Sequence, residues 1–240
     1  MIKCITFDLD DTLWAVEPVI DNANATLFKW LAEHAPDFAK KFSVADIPAL
    51  REEAILRWPE IAHHVSNIRL RLLELGFEKA GYSEEEGLRL AEEAFGVFFD
   101  ARQQVTLFEH VEDVLKDLRS KGYILGALSN GNADIGVIGL SEYFDFHFTA
   151  EDVGKEKPHP AMFESMLAHS DVKPNEVIHV GDDPVRDVQA AANMGIWTVW
   201  VNVFDACAQA QAATRTITCL SELPQVIADI TLMAQERAKS

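Results

Sequence analysis

The chain has 240 residues, 39 acidic against 21 basic, a formal net charge of −18 and a hydrophobic fraction of 48%. That length fits one large domain or two small ones, and the composition excludes disordered and fibrous classes. So anionic a protein is repelled at long range by nucleic acids and acidic membranes, and it binds a small anion only where local cations or a metal reverse the field.

The N-terminal residues MIKCITFDLDD lack the basic start and long apolar stretch of a secretory signal. No apolar run reaches the roughly 18 residues a membrane span needs. Cys4, Cys207 and Cys219 are too few and too scattered for a disulfide framework or a zinc site. The expectation is a reduced, cytoplasmic, soluble protein.

Residues 1–10 predict a short buried strand from Ile2, Cys4, Ile5 and Phe7, with aspartates following at once. Carboxylates at the C-terminal edge of a strand lie where open α/β sheets bind ligands. From about Pro18 to Arg102 the period becomes helical, with apolar residues at three- and four-residue steps in Ala25, Leu27, Phe28, Leu31 and in Ile68, Leu70, Leu72, Leu73, Leu75. Ser83 and Glu86 form a capping-box signature ahead of the Leu88–Phe99 stretch. This predicts an all-helical insert without internal repeats.

From about Thr106 strands and helices alternate. A helix is expected over Val111–Lys121, then a strand through YILGALS ending at Ser129, and a weaker strand over Phe146–Thr149. Pro160–His169 reads as helix, Val177–Val180 as strand, Val185–Met194 as helix and Trp197–Val201 as strand. The last helix is expected over about Leu223–Gln235, with the final residues frayed. Near-continuous apolar strands alternating with helices predict a parallel sheet covered on both faces.

Four polar clusters fall at or just after predicted strand ends. They are Asp8-Leu9-Asp10-Asp11-Thr12, Ser129-Asn130-Gly131, Lys157-Pro158, and Gly181-Asp182-Asp183 with Asp187. Any one of them fits ordinary capping, but a parallel sheet brings all four to one edge. The chemistry they fit is phosphoryl transfer through a carboxylate nucleophile. Asp8 would attack phosphorus. Asp10, two residues on along the same strand face, would act as general acid and then base. Carboxylates beside a phosphate need cations, and Lys157 and a metal held by Asp8 and Asp182 would supply them. An all-oxygen donor set without His or Cys favours Mg²⁺. Ser129 and the amide nitrogens near Asn130 and Gly131 would bind the non-bridging oxygens.

FDLDDTLW, LSNG, GKEKPHP and VGDDPVRD resemble, in order, the nucleophile, Ser/Thr, lysine and acidic motifs of haloacid dehalogenase superfamily phosphatases. The resemblance spans essentially the whole chain. It implies a Rossmann-like parallel-sheet core over 1–14 and 105–240, with an inserted helical cap over 15–104 that selects the substrate. It also implies that the Asp10 backbone carbonyl and the Asp182 side chain bind the metal, with Asp183 a ligand directly or through water. Lys157, not Lys155, precedes Pro158 as the motif requires. Superfamily dehalogenases lack a carboxylic acid at the Asp10 position, so Asp10 favours ester hydrolysis. Many relatives carry Pro-Gly where this chain has Glu109-His110.

Within the cap, Arg69, Arg71, His63 and His64 offer a polar face for a leaving group, although each also fits a solvated helix face. Trp14 and Trp58 could stack on a flat heterocycle or simply pack. His147, His159 and His179 read as structural. The cap with SNGN and GDDPVRDV resembles bacterial phosphatases of flavin mononucleotide and 5-amino-6-(5-phospho-D-ribitylamino)uracil, which implies a place in riboflavin biosynthesis. A phosphomutase or phosphotransferase, a phosphatase of a sugar phosphate, phosphoglycolate or nucleotide, and a silent binding module stay open as alternatives. Monomer and homodimer are not distinguished.

Overall fold

The computed structural model describes residues 1–204 and 210–237. The chain divides into two compact units, one formed by 1–15 and 106–240 and the other by 16–105.

The second unit is helical throughout its regular elements: α1 (Val16–His34), α2 (Pro36–Lys41), α3 (Ile47–Arg57), α4 (Val65–Ala80) and α5 (Glu84–Arg102). In α1 the buried side chains Val19, Ala23, Leu27 and Leu31 recur every four residues, which lays one apolar stripe along the helix. Ile68, Leu72 and Leu75 do the same in α4, and Leu90, Ala94 and Phe98 in α5. These stripes meet with Phe38 and Phe77 in one core. The start of α5 is set by Ser83, whose hydroxyl accepts the Glu86 N–H at 3.3 Å.

The first unit carries β1 (Cys4–Phe7), α6 (Val111–Ser120), β2 (Ile124–Ser129), α7 (Ile135–Ile138), β3 (Phe146–Thr149), α8 (Ala150–Val153), α9 (Ala161–Ser170) and β4 (Val177–Gly181). A π-type turn over Pro184–Gln189 follows, then α10 (Ala190–Asn193), β5 (Trp197–Val201), β6 (Arg215–Ile217) and α11 (Leu223–Arg237). The six strands form one sheet in the order β3-β2-β1-β4-β5-β6, and every pairing is parallel. The fold is therefore α/β, a Rossmann-like parallel sheet with an all-helical insert after the first strand.

The order has a consequence for function. The chain runs outward from β1 through β2 to β3, then returns to β4 on the other side of β1. That reversal makes a crevice at the carboxyl ends of β1 and β4, the place where open parallel sheets bind ligands. Central strands are buried on both faces, so β1, β4 and β5 are wholly buried and read as apolar runs.

Three local differences from the sequence reading stand out. The expected helix over Val185–Met194 is split into a π-type turn and a short α-helix. The short strand β6 has two of its three residues exposed and carries no apolar run to announce it. Helix α11 reaches Arg237, two residues further than expected, and the expected fraying of the last residues, 238–240, lies outside the described residues. Cys4 is buried and Cys219 half-buried, both as free thiols. Burial pushes the Cys4 thiol up to about 12, so it is inert. Cys207 lies outside the described residues.

Candidate active site

Asp8 is the first residue after β1, and Asp182 the first after β4. Because Phe7 pairs with Val180 across the two parallel strands, both aspartates leave the sheet at the same edge. Ser129 closes β2 at that edge. The Lys157 ammonium is buried here and uses all three of its protons: on Asp8 Oδ1 at 2.7 Å, on the Leu128 carbonyl at 2.6 Å and on Asp187 Oδ1 at 2.6 Å. Lys155, two residues away, is exposed.

Asp8, Asp182 and Asp187 each bring a carboxylate oxygen within 4.8 Å of the others. Three carboxylates against one lysine leave the cluster anionic. Burial pushes Asp8 well above the usual carboxylate range, opposed by Lys157 and reinforced by the charges of Asp187 and Asp182. Burial, with Asp187 and Asp11 adding, pushes Asp182 up to about 7. Asp187 behaves differently. Burial alone would raise it, but the Lys157 charge and the His179 hydrogen bond together hold it below the usual range. Burial would lower Lys157, and its two carboxylates more than reverse that.

The donor set is hard oxygen throughout, crowded and short of positive charge, which fits a divalent cation such as Mg²⁺. Asp187 fits that role least. Its Oδ1 accepts from Lys157 and from His179 Nε2 at 3.2 Å, and its Oδ2 accepts the Asp183 N–H at 3.1 Å. Asp8 and Asp182 keep lone pairs free. The Thr12 hydroxyl lies 3.4 Å from Asp8 Oδ2 and 3.3 Å from Asp182 Oδ1, and its single proton serves one of them at a time. The Asp182 carbonyl accepts the Trp200 indole N–H at 2.7 Å, which fixes that backbone.

Other expected residues are placed differently. Trp14 is fully buried, and its indole N–H donates to Asp10 Oδ1 at 2.9 Å. A ring without exposed faces cannot stack on a substrate, so Trp14 orients Asp10 instead. The Asn130 side chain is also committed: its Nδ2 donates to the Lys157 carbonyl at 2.9 Å, and its Oδ1 accepts the Lys157 N–H at 2.7 Å. It clamps the backbone that carries the lysine, so a phosphate is left only its main-chain amide. Gly131 N–H donates to Ser129 Oγ at 2.9 Å.

Asp183 does not join the carboxylate cluster. Its Oδ1 accepts the N–H groups of Val185 and Arg186, both at 2.8 Å, and caps the π-type turn. In the helical unit, the Arg69 guanidinium stacks on Phe98 at 3.9 Å and donates to Asn24 Oδ1 at 3.2 Å. Burial, with Arg51 adding, lowers it to about 10.

Sequence reasoning gave no role to Thr12 or Asp187, although both stand inside the motif clusters, and it read His179 as structural. For His179 the available signal was a polar residue inside an otherwise apolar, buried strand, and for Thr12 and Asp187 it was their membership of those clusters.

Comparisons with known proteins give the family. A family model described as haloacid dehalogenase-like hydrolase matches residues 2–195. The chain is 34% identical over 200 residues to the 5-amino-6-(5-phospho-D-ribitylamino)uracil phosphatase YigB of Escherichia coli strain K12, covering 83% of each protein. It is 28% identical over 210 residues to a glyceraldehyde 3-phosphate phosphatase of Methanothermobacter thermautotrophicus, covering 84% of this chain and 86% of the relative. Among solved structures, one titled 2-haloacid dehalogenase from Pseudomonas syringae pv. Tomato DC3000 superposes with a TM-score of 0.90 at 40% identity, covering 95% of this chain and 99% of that one. On the reach of the family match and the agreement in fold, the chain belongs to the haloacid dehalogenase-like hydrolases.

Proposed function

We propose that the chain is a Mg²⁺-dependent phosphomonoesterase that passes through an aspartyl phosphate on Asp8. The observation that carries the reading is the buried Lys157 ammonium, ion-paired to Asp8 at 2.7 Å beside Asp182. A carboxylate held against a cation at a sheet edge is a nucleophile that can approach an anionic substrate. The chain is a phosphoric monoester hydrolase.

Asp8 attacks phosphorus, the bond from phosphorus to the ester oxygen breaks, and Asp10 gives its proton to the departing alcohol. Asp10 then takes a proton from water as that water attacks the phosphoryl group, orthophosphate leaves, and Asp8 is regenerated. The Trp14 indole N–H on Oδ1 orients the Asp10 carboxyl for these transfers. Lys157 balances charge on Asp8 and the transferring group, and Ser129 with the Asn130 main-chain N–H binds its oxygens. Asp8, Asp182 and the Asp10 carbonyl would hold Mg²⁺. When bound, that ion neutralises the carboxylates and draws electron density from the phosphoryl oxygens.

For substrate, we favour a small phosphorylated metabolite of the flavin pathway, flavin mononucleotide or 5-amino-6-(5-phospho-D-ribitylamino)uracil, in the cytoplasm. The likeness to YigB supports this over a sugar phosphate, phosphoglycolate or nucleotide. Arg69 is our candidate cation toward the leaving group. The dehalogenase title of the Pseudomonas syringae structure raises a second reading, halide displacement from a 2-haloacid. Asp10 argues against it, because superfamily dehalogenases carry no acid there.

A panel of phosphorylated metabolites ranked by kcat/KM for orthophosphate release, with 2-haloacids scored for halide release, tests all of this. Flavin-pathway esters are expected to lead. Asp8→Asn is expected to lose about 10⁴-fold or more in kcat, since loss of a covalent nucleophile costs up to about 10⁶-fold. Activity within tenfold of wild type in that variant excludes the aspartyl phosphate, and halide release without phosphate release favours the second reading.

A further inference from the structure

His179 lies inside β4 with no exposed surface, and its ring is the only imidazole among the described residues bonded to the strand-end carboxylate cluster. Its Nε2 is 3.2 Å from Asp187 Oδ1, and its Nδ1 is 2.9 Å from the Thr6 hydroxyl on the neighbouring strand. Phe163 packs edge-on against it, with ring centroids 5.0 Å apart at 88°.

The partners fix the tautomer. Asp187 is a carboxylate that already accepts from Lys157, so it can only accept from the imidazole, and Nε2 must carry hydrogen. Burial next to the Lys157 ammonium keeps the ring neutral. Nδ1 is then bare, and it accepts the Thr6 O–H.

We infer that His179 is a positioning residue: its Nε2–H fixes Asp187, and Asp187 fixes the Lys157 ammonium against Asp8. The inference rests on the proposed phosphatase reading, because it assigns Lys157 to the transferring phosphoryl group. Asp187 Oδ1 has two donors, His179 and Lys157. Without the first, Asp187 is held only by Lys157 on Oδ1 and the Asp183 N–H on Oδ2, and the fixed point opposite Asp8 is loosened. Hydrogen-bonded partners that orient metal-ligating side chains are worth about ten- to a hundredfold in activity, and the low end of that range is expected for a partner that orients the Lys157–Asp8 pair.

The test uses the whole enzyme and p-nitrophenyl phosphate with Mg²⁺. His179→Leu fills the space but donates nothing. His179→Gln puts an amide N–H near the Nε2 position. The expected result is a kcat loss of about tenfold or more in the leucine variant, KM within about twofold, and recovery to within about threefold of wild type in the glutamine variant. Correlation of the ring nitrogens and protons by NMR in the wild-type enzyme is expected to show the neutral Nε2–H tautomer. A folded leucine variant with wild-type kcat, a glutamine variant no better than leucine, or an Nδ1–H tautomer overturns the inference while the phosphatase reading stands. Wild-type enzyme that releases no orthophosphate overturns the phosphatase reading and the inference with it.

Discussion

At Gly181, the last residue of β4, the backbone and the Asp187 side chain are in direct contact. A Cβ added there would sit 2.5 Å from both Cβ and Cγ of Asp187. Asp187 cannot yield without giving up Lys157, His179 or the Asp183 N–H. Gly181→Ala is therefore expected to cost about 1–3 kcal/mol of stability by overpacking. It should also lower kcat about tenfold, since small misplacements of reacting groups are costly. Thermal melts and steady-state kinetics on an aryl phosphate check this. A variant that melts lower but keeps its kcat would remove Asp187 from the machinery.

The same scale shows what the sequence could convey. Asp8 and Asp182 were legible because each is a carboxylate set directly at the end of a buried strand, at the edge where open parallel sheets bind ligands. Lys157 was legible only through its Pro158 neighbour. Trp14 stayed open between two readings because the same residue type serves as a stacking platform and as a core plug, and only burial separates them. The clamp made by the Asn130 side chain was not legible, because its amide pairs with the Lys157 backbone 27 residues away, a partner no local window contains.

Among the elements, the π-type turn at Pro184–Gln189 has a local cause. The Asp183 carboxylate caps the Val185 and Arg186 amides, and the Val188 N–H then reaches the Asp183 carbonyl at 3.2 Å, one residue further than in an α-helix. The widened turn aims Asp187 back at β4. Periodicity found a helix here because Val188 and Ala191 are spaced for one, and periodicity does not sense hydrogen-bond step. Such single-turn π segments are concentrated at functional sites.

Helix α6 carries another departure. Its cap residue His110 sits at φ 69°, a left-handed conformation that costs an ordinary side chain about 1–2 kcal/mol. Against the roughly 0.5–1 kcal/mol that glycine's freedom in the unfolded chain takes back, His110→Gly should gain about 0.5–1 kcal/mol net. That is a rise of about 2 °C in Tm with activity unchanged. A fall in Tm would mean that the His110 side chain holds the helix start by contacts stronger than the backbone strain.

For the molecule as a whole, the net charge of −18 and the sheet topology act on the same place. A parallel sheet collects the strand-end groups at one edge, and here those groups are mainly carboxylates. The field of the remaining acidic residues adds to theirs, so a phosphate dianion meets repulsion from both the cluster and the surface. Lys157 is already shared between Asp8 and Asp187, so it balances only part of that charge. A divalent cation bound by Asp8 and Asp182 would relieve the repulsion within the folded core, where the unfolded chain has no such site. Mg²⁺ should then raise stability by mass action, by about 2.7 kcal/mol at a hundredfold excess over Kd. For a protein of this size that is about 5–10 °C in the melting of the sheet unit. Asp182→Asn removes one ligand and one repelling charge together. It should melt higher than the metal-free wild type and gain little from Mg²⁺. Differential scanning calorimetry with EDTA and then with Mg²⁺ reads both effects without any substrate. A wild-type transition that does not move with Mg²⁺ would mean that the cluster is satisfied by Lys157 alone, and the hydrolysis would then need another source of positive charge.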